Sequence, residues 1–244
     1  MGESYGNFRI GNDETIFPYI TSCNIACGYH GGDPLCIENT IQNALKHGVQ
    51  IGAHPGYPDL IGFGRRRMHI PFEELRGMVK YQVAALKSLT ESFGGKLKYV
   101  KPHGALYNTA ADHREDAQAI AKAVQEIDPA LTLMGMAGSC VDHAAKENGL
   151  TFVAEAFADR KYEVNGRLRS RAKEGAVIKS AEEAADQVVS IVLDQRVTSH
   201  DNQEVKLEAE SICIHGDNPS ALSILQAIDQ KLKANGIEKK SFSK

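Results

Sequence analysis

Short apolar runs alternate with longer amphipathic segments along the whole chain, and this alternation restricts the fold more than any other feature of the sequence. Six runs have the length and composition of buried strands: Ile20–Ala26, Val49–Ala53, Leu97–Lys101, Leu131–Met136, Thr151–Glu155 and Ser211–His215. Six segments repeat apolar residues at helical spacing: Pro34–His47, Phe72–Phe93, Glu115–Ile127, Cys140–Asn148, Ala181–Asp194 and Pro219–Ala234. Strands that alternate with helices pair in parallel through right-handed crossovers, so the pattern predicts an α/β fold.

Local signals mark where several of these helices begin and end. Asp33-Pro34 places a capping acid before a proline at the first helical position, and Asn218-Pro219 repeats this arrangement. Because a helix commonly ends on a glycine in the left-handed conformation, glycines just after a helical segment predict its end. Two segments are followed in this way, by Gly48 and Gly149.

The chain of 244 residues has the length of one α/β barrel or of two smaller domains. Neither a break in composition nor a linker divides it, so we expect a single domain over residues 1–244. Two long segments, Pro55–Pro71 and Phe157–Ser180, follow predicted strands and are rich in glycine and arginine. Loops of this length inside a compact domain commonly form lids or binding loops.

Charge and cysteine content exclude several classes of function. The 28 basic and 31 acidic residues give a net charge of −3, and no aromatic residues interleave with the one basic cluster, Arg65–Arg67, so no nucleic-acid partner is expected. The five cysteines form no C-x-x-C pair, which favours reduced thiols over disulfides or a zinc site.

No apolar stretch approaches the ~18 residues of a membrane-spanning helix. Since no signal-peptide pattern opens the chain either, we expect a cytoplasmic protein that does not enter a membrane.

Histidines and charged residues occur where the predicted strands end. The C-terminal ends of parallel strands open on one face of an α/β fold, and active sites are built there. We therefore expect the following residues to lie together: His30 and Asp33, His54, Lys101 and His103, Glu155 with Asp159 and Arg160, and His215 with Asp217. Four of them are histidines that lie far apart in the sequence, and glycines beside them leave room for a ligand to approach the backbone.

Three kinds of chemistry fit these residues. Metal-assisted hydrolysis would need ligands from separate strands, because neither H-x-x-x-H nor H-E-x-x-H occurs. A His–Asp or His–Glu pair could instead perform metal-free general acid–base catalysis. Phosphate binding is the third alternative, for which the basic residues are Lys101, Arg65, Arg66 and Arg160. No Walker-type loop is present, and Gly62-Phe63-Gly64 is too short for a dinucleotide fingerprint.

The same strand ends carry five ordered motifs that resemble those of one protein family. The motifs are Asn24–Pro34, Ile51–Arg66, Val100–Asn108, Glu155–Arg160 with the residues up to Arg171, and Ile214–Pro219. Together they span nearly the whole chain and resemble the LamB/YcsF family, the A subunits of 5-oxoprolinase. The resemblance implies ATP-dependent hydrolysis of 5-oxoproline to glutamate in a complex with separate subunits B and C.

The resemblance also implies an irregular seven-stranded (β/α) barrel related to polysaccharide deacetylases. Members of the family usually begin with a strand resembling D-L-N-x-D-x-G-E, and this chain starts inside it, at Met1-Gly2-Glu3. We therefore expect the first of the seven strands to be missing. Since its acids would lie at the same face, no metal-ligand set is assigned and no tightly bound ion is expected.

On this interpretation the strand-end residues divide into two groups. The predicted catalytic residues are His54, His103, His215, Lys101, Asp33 and Glu155. The predicted substrate-binding residues are His30, Asp159, Arg160, Arg65 and Asp217. A histidine would direct water at the lactam carbon, Lys101 would stabilise negative charge, and Asp33 or Asp217 would orient a histidine. Two other functions remain open, a metal-dependent deacetylase or amidase that acts without ATP and a non-catalytic lactam-binding subunit.

Overall fold

The computed structural model describes residues 1–242. They form two compact units, Met1–Val153 and Ala154–Phe242. Each unit contains parallel strands with helices, so the chain has the predicted α/β fold. The single-domain arrangement over residues 1–244 stays a prediction.

Four parallel strands form the sheet of the first unit, in the order in which they occur in the chain. They are β1 (Ser22–Ala26), β2 (Gln50–His54), β3 (Leu97–Val100) and β4 (Thr132–Met136). The register between β2 and β3 shifts at Ile51/Gly52. A Cβ atom at Gly52 would lie 2.2 Å from the Tyr99 ring, so the buried tyrosine of β3 requires a glycine beside it. Every residue of β4 is buried, as in a strand covered on both faces.

Six helices belong to the first unit. They are α1 (Asp13–Ile16), followed by a 3-10 turn at Phe17–Tyr19, α2 (Pro34–Lys46), α3 (Phe72–Ser92), α4 (Gly104–Asp112), α5 (Arg114–Ile127) and α6 (Cys140–Glu147). The longest, α3, buries Leu75, Val79, Val83 and Leu86 on one face, as its three- and four-residue spacing predicts. These side chains join the core that the strands and helices of this unit share. No helix within residues 1–242 has the length and apolarity needed to cross a bilayer.

The N-terminal residues lie along β1. The Met1 nitrogen donates to the Asn24 carbonyl at 2.8 Å, and the Ala26 nitrogen donates to the Met1 carbonyl at 3.1 Å. In a parallel pair of strands, one residue bonds to the two residues that flank its partner on the other strand. Met1 is therefore paired in parallel with the residue between Asn24 and Ala26. This pairing carries Glu3 to the C-terminal end of β1, beside the loop that contains Gly31. A Cβ atom at Gly31 would lie 2.7 Å from the Glu3 carbonyl oxygen, so this close approach requires glycine.

The second unit is smaller. Its strand β5 (Phe152–Phe157), which begins at the end of the first unit, pairs in parallel with β8 (Ser211–Cys213). Between them in the chain lie α7 (Ala181–Asp194) and an antiparallel hairpin of β6 (Arg196–Thr198) and β7 (Glu204–Lys206), and α8 (Ala221–Ala234) follows β8. Apolar residues of α7 and α8, including Val188, Ile224 and Ile228, form the core of this unit.

Most predicted elements are confirmed, with boundaries shifted by a few residues. All six strands are present, and Gly48 and Gly149 adopt positive φ angles of 65° and 70° at helix ends. The predicted start of the last helix at Pro219 is wrong, because α8 begins at Ala221. The Asn218 side chain accepts from the Ser220 nitrogen and donates to Asp159, so it makes a turn before the helix. The elements α1, α4, β6 and β7 were not predicted from the sequence.

Candidate active site

Three histidines and one glutamate meet at the strand ends of the first unit. His54 is the last residue of β2, His103 follows β3, and His30 lies in the loop after β1. The rings of His30 and His103 are stacked, with centroids 3.6 Å apart and planes 3° from parallel. The His54 ring stands edge-on to both, with centroids 5.7 Å from His30 and 4.8 Å from His103. We call Glu3, His30, His54 and His103 the histidine cluster.

Glu3 is the charged member of the histidine cluster and is only 8% exposed. Its Oε1 atom lies 3.4 Å from His30 Nε2 and 3.7 Å from His103 Nδ1. Burial raises the pKa of Glu3, but the N-terminal ammonium and the imidazoles of His30 and His103 outweigh this effect and hold the pKa well below its usual range. Glu3 is therefore a carboxylate at neutral pH.

Backbone carbonyls fix the tautomers of two of the histidines. His54 Nδ1 lies 2.6 Å from the Lys101 carbonyl oxygen, and His103 Nε2 lies 2.8 Å from the Phe63 carbonyl oxygen. Since a carbonyl only accepts, each of these nitrogens carries a hydrogen. The lone pairs of the neutral rings are therefore on His54 Nε2 and His103 Nδ1.

Both rings are uncharged at neutral pH. Burial lowers the pKa of His54 well below its usual value, and the neighbouring His103 and Lys101 lower it further. Burial and His30 likewise hold the pKa of His103 well below its usual value, against the opposing effect of Glu3. A desolvated imidazole near a lysine or arginine side chain has little tendency to take up a second proton.

The loop between β2 and α3 supplies the carbonyl that holds His103. Phe63 and Gly64 both have left-handed backbones, with φ angles of 54° and 62°. This conformation is unfavourable for phenylalanine, and such strain is concentrated at functional sites. A Cβ atom at Gly64 would lie 2.8 Å from both His103 Cδ2 and His30 Cβ, so the loop closes over the two rings only with glycine here.

Asp59 holds this loop together. Its carboxylate accepts from the Gly62 nitrogen at 2.9 Å and from Arg66 Nε at 3.0 Å. The hydrogen bond from the Arg66 guanidinium lowers the pKa of Asp59 to about 2. Next to it in sequence, the Arg65 guanidinium lies over the Phe63 ring, 4.9 Å from the centroid. Arg65, predicted to bind substrate, is therefore placed beside the histidine cluster.

Lys101 and Asp33, two predicted catalytic residues, also lie at strand ends of the first unit. Lys101 is 4% exposed, and its ammonium lies 5.8 Å from the centroid of the Tyr107 ring. Asp33 caps α2, because its carboxylate accepts from the Cys36 and Gly6 nitrogens, each at 2.9 Å. Both of its oxygens therefore hold backbone groups, and the structure pairs neither with a histidine.

The second unit contains a His–Asp pair. His215, two residues beyond β8, has Nδ1 2.8 Å from Asp159 Oδ1. Asp159 is fully buried, and its other oxygen accepts from Asn218 Nδ2 at 3.2 Å. The ring of Phe157 stacks on His215 with centroids 5.5 Å apart. Because the carboxylate accepts from Nδ1, His215 Nε2 carries the lone pair, and the His215 side chain is 22% exposed.

Asp159 remains ionised in this setting. Burial raises the pKa of Asp159, but the His215 imidazole and the Asn218 amide outweigh burial and lower the pKa below its usual value. Asp159 was predicted to bind substrate, whereas Asp33 or Asp217 was predicted to orient a histidine. In the structure, the carboxylate that accepts from His215 Nδ1 is that of Asp159.

Arg160 and Glu155 complete the predicted set in the second unit. Arg160 is buried, and its guanidinium donates to the carbonyls of Ala176 and Arg169, so it fastens the long loop after β5. Gln187 reinforces this arrangement by donating to the Phe157 carbonyl at 2.8 Å and to the Arg160 carbonyl at 3.0 Å. Glu155 lies on β5 and is 1% exposed.

Three contributors to these sites were not predicted from the sequence. In the sequence Glu3 belongs only to an interrupted motif, whereas in the fold it is the carboxylate of the histidine cluster. The Phe63 carbonyl could not be recognised, because its role depends on backbone conformation. The sequence predicts Asn218 as a helix cap, whereas in the structure its side chain donates to Asp159.

The chain is similar to known proteins over almost its entire length. The model of the LamB/YcsF family matches residues 1–244. A Bacillus cereus protein, named as the A subunit of 5-oxoprolinase, is 47% identical over 238 residues, which cover 97% of this chain and 94% of the relative. An Acinetobacter baylyi protein of the same name is 49% identical over 242 residues, covering 99% of this chain and 95% of the relative.

A solved structure has the same fold. The crystal structure of the lactam utilization protein from Thermus thermophilus superimposes with a TM-score of 0.93 at 43% sequence identity. The match covers 99% of this chain and 97% of that protein.

Proposed function

Since the chain belongs to the LamB/YcsF family, we propose that it is the A subunit of an ATP-dependent 5-oxoprolinase. The observation that carries the proposal is its whole-length similarity to two proteins of that name, at 47% and 49% identity. The crystal structure named as a lactam utilization protein supports the same class of substrate. The enzyme would hydrolyse a cyclic amide, 5-oxoproline, to glutamate.

The substrate explains the need for ATP. An unstrained lactam resists attack by water, because resonance stabilises its C–N bond. Transfer of the γ-phosphoryl group of ATP to the lactam oxygen would make the ring carbon electrophilic. Water would then add to this carbon, the C–N bond would break, and the ring nitrogen would take up a proton. The resulting acyl phosphate would be hydrolysed by a second water to glutamate and phosphate.

His215 and Asp159 are suited to direct water in this reaction. Asp159 fixes the tautomer that leaves His215 Nε2 as a base, and a positioned base of this kind contributes ~10²–10⁴-fold to a rate. Asp159 would act as a positioning residue and would stabilise the imidazolium while it holds the proton. Because the His215 side chain is 22% exposed, a bound water would have access to it.

The predicted cationic residues would act on the charge of the substrate. Lys101 would stabilise negative charge that develops on oxygen. Arg65 would bind the substrate carboxylate or a phosphoryl group by its planar guanidinium. We assign catalytic roles to His54, His103 and Glu155 and retain a substrate-binding role for His30, Arg160 and Asp217. Asp33 would contribute by holding α2 and the loop before it.

Two further features belong to the proposal. The relatives are named as A subunits, which supports a complex with further subunits, and we propose that these are subunits B and C. The family resemblance supports a seven-stranded (β/α) barrel as the architecture. We also propose a cytoplasmic location, which the five free cysteines support.

A second candidate function is a metal-dependent amidase that acts without ATP. It is favoured by one observation, the group of Glu3, His54 and His103, whose donor atoms lie within 4.8 Å of one another. A carboxylate and two imidazoles are the ligands of several hydrolytic zinc enzymes. This function would require the isolated chain to turn over an amide.

One experiment separates the two functions. The chain is incubated with 5-oxoproline, alone and with the B and C subunits of a 5-oxoprolinase, with and without ATP. We expect glutamate and ADP only when the partners and ATP are both present. Glutamate release by the isolated chain without ATP would contradict the proposed function and support the amidase.

A further inference from the structure

We propose that Glu3, His54 and His103 form a binding site for one divalent transition-metal ion of the zinc type. It replaces the expectation from the sequence that no ion is tightly bound, and it rests on the geometry of these side chains, not on the proposed substrate. One donor atom from each residue lies within 4.8 Å of the donor atoms of the other two. The residues come from three separate segments, the N-terminal residues, the end of β2 and the loop after β3, so their convergence is a property of the fold.

His54 and His103 are oriented as metal-binding histidines usually are. A ligating histidine usually donates its other ring N–H to a carbonyl or a carboxylate, which fixes the tautomer. His54 donates Nδ1–H to the Lys101 carbonyl, and His103 donates Nε2–H to the Phe63 carbonyl. The lone pairs of His54 Nε2 and His103 Nδ1 are left for a ligand.

The Glu3 carboxylate, His54 Nε2 and His103 Nδ1 are all hydrogen-bond acceptors. They converge without a hydrogen-bond donor between them. His103 Nδ1 lies 3.7 Å from Glu3 Oε1, so a lone pair faces a carboxylate oxygen with no hydrogen to share. Buried acceptors that face one another repel unless a cation or a hydrogen-bond donor lies between them. A metal ion would satisfy all three at once, whereas a proton would satisfy only one pair.

His30 would hold the carboxylate ligand in place. It is fully buried, and neither ring nitrogen makes a hydrogen bond within residues 1–242. Its Nε2 atom lies 3.4 Å from Glu3 Oε1, and its ring stacks on His103. A small movement of the carboxylate onto a metal would leave His30 able to donate to it. His30 would thus be a positioning residue rather than a ligand.

The donor set indicates the class of ion. Two neutral imidazoles and one carboxylate suit zinc, and the same set occurs with other first-row metals such as iron(II). Calcium and magnesium prefer oxygen ligands and are not expected here. Three protein ligands leave at least one coordination position for water or substrate. When bound, such an ion would polarise a carbonyl or phosphoryl oxygen.

Metal content of the purified chain tests the proposal directly. The chain is stripped with a chelator, loaded separately with Zn²⁺, Co²⁺, Mn²⁺ or Fe²⁺, passed over a desalting column and analysed for metals. We expect about one zinc or cobalt ion per chain. Retention of manganese or iron in place of zinc would support the same site with a different ion. Retention of less than about a tenth of an ion per chain for all four metals would overturn the proposal.

Substitutions locate the ion. Glu3→Gln, His54→Gln and His103→Gln should each reduce the bound metal at least ~10-fold, because each removes a ligand or its charge. Glu14→Gln and His143→Gln are matched controls at exposed positions and should bind metal as the wild type does. His30→Gln should retain the site but weaken the affinity by ~10–100-fold. Full metal content in all three ligand variants would place the ion elsewhere and overturn the proposal.

Cobalt spectroscopy keeps the test independent of how well the variants fold. Cobalt(II) with few ligands in a protein site absorbs visible light more strongly than the octahedral aqua ion. We expect strong visible bands from the cobalt-loaded wild type, and a chelator should lower its melting temperature because the metal binds only the folded chain. Bands no stronger than those of the aqua ion would contradict the proposed ligand set.

Discussion

At the scale of single residues, the chemistry of the chain depends on which ring nitrogens are already occupied. The Lys101 carbonyl accepts a hydrogen bond from His54, and the Phe63 carbonyl accepts one from His103. The Asp159 carboxylate accepts from Nδ1 of His215. The positions of these histidines could be predicted from the ends of strands. Their tautomers could not, because two of the three partners are backbone carbonyls that no side-chain pattern reveals.

Replacing Asp159 by asparagine should slow the proposed reaction without preventing binding. The amide can donate to His215 Nδ1 and stabilise the wrong tautomer, so Asp159→Asn should lower kcat by ~10²–10⁴-fold with little change in KM. Steady-state kinetics of the reconstituted complex measure this. Asp201→Asn, an exposed substitution in the same unit, is the control. An unchanged kcat in Asp159→Asn would remove this pair from the mechanism.

Asp59 should contribute to the stability of the chain only above acid pH. Its pKa is about 2 in the folded chain and about 3.9 when unfolded. A lowered pKa adds stability that is fully present above the unfolded value and is lost as the pH falls through the folded value. Asp59→Asn should therefore have a lower melting temperature than the wild type at neutral pH.

The difference in melting temperature should shrink as the pH falls from about 4 toward 2. Thermal unfolding of the two proteins across this range measures it. Because the Arg66 side chain is 66% exposed, added salt should also reduce the difference. A difference that does not change with pH would mean that Asp59 acts through shape rather than charge.

At the scale of elements, strands and helices with long apolar patterns were predictable and short ones were not. The strands β6 and β7 have three residues each, with exposed charged residues at the ends of β7, so no alternating pattern stands out. Helix α4 begins at Gly104 without a side-chain cap and has only nine residues. The start of α8 was misplaced because Asn218 binds Asp159, a contact between residues far apart in sequence.

The pairing of the N-terminal residues with β1 can be tested at Gly31. A Cβ atom there would lie 2.7 Å from the Glu3 carbonyl oxygen and 3.3 Å from Glu3 Cα. Both are backbone atoms, so Gly31→Ala should displace Glu3, destabilise the chain by ~1–3 kcal/mol and weaken metal binding. Gly77→Ala in α3 meets nothing within 4 Å and should stabilise the chain by ~0.5–1 kcal/mol.

Chemical denaturation and metal titration of the two glycine variants measure both effects. If Gly31→Ala were as stable as the wild type and bound metal equally well, Glu3 would not be held by this contact. A loss of stability in Gly77→Ala would mean that the space around that glycine is not open.

At the scale of the whole molecule, each unit carries its own polar cluster at the ends of parallel strands. The α/β class and the strand-end positions could be predicted, because they follow from the alternation of apolar patterns. The partnership of Glu3 with the histidines could not, because it depends on how the N-terminal residues pair with β1. The partnership of Asp159 with His215 could not, because it joins two loops that lie far apart in the sequence.

The central claim is that this chain opens the lactam ring within an ATP-driven complex, and paired product release tests it most directly. Glutamate and ADP are measured together from 5-oxoproline and ATP, with the B and C subunits plus either wild-type chain or His215→Gln. We predict equal amounts of glutamate and ADP with the wild type and at least ~10²-fold less glutamate with the variant. Glutamate formed at the wild-type rate with His215→Gln, or by the B and C subunits alone, would contradict the account.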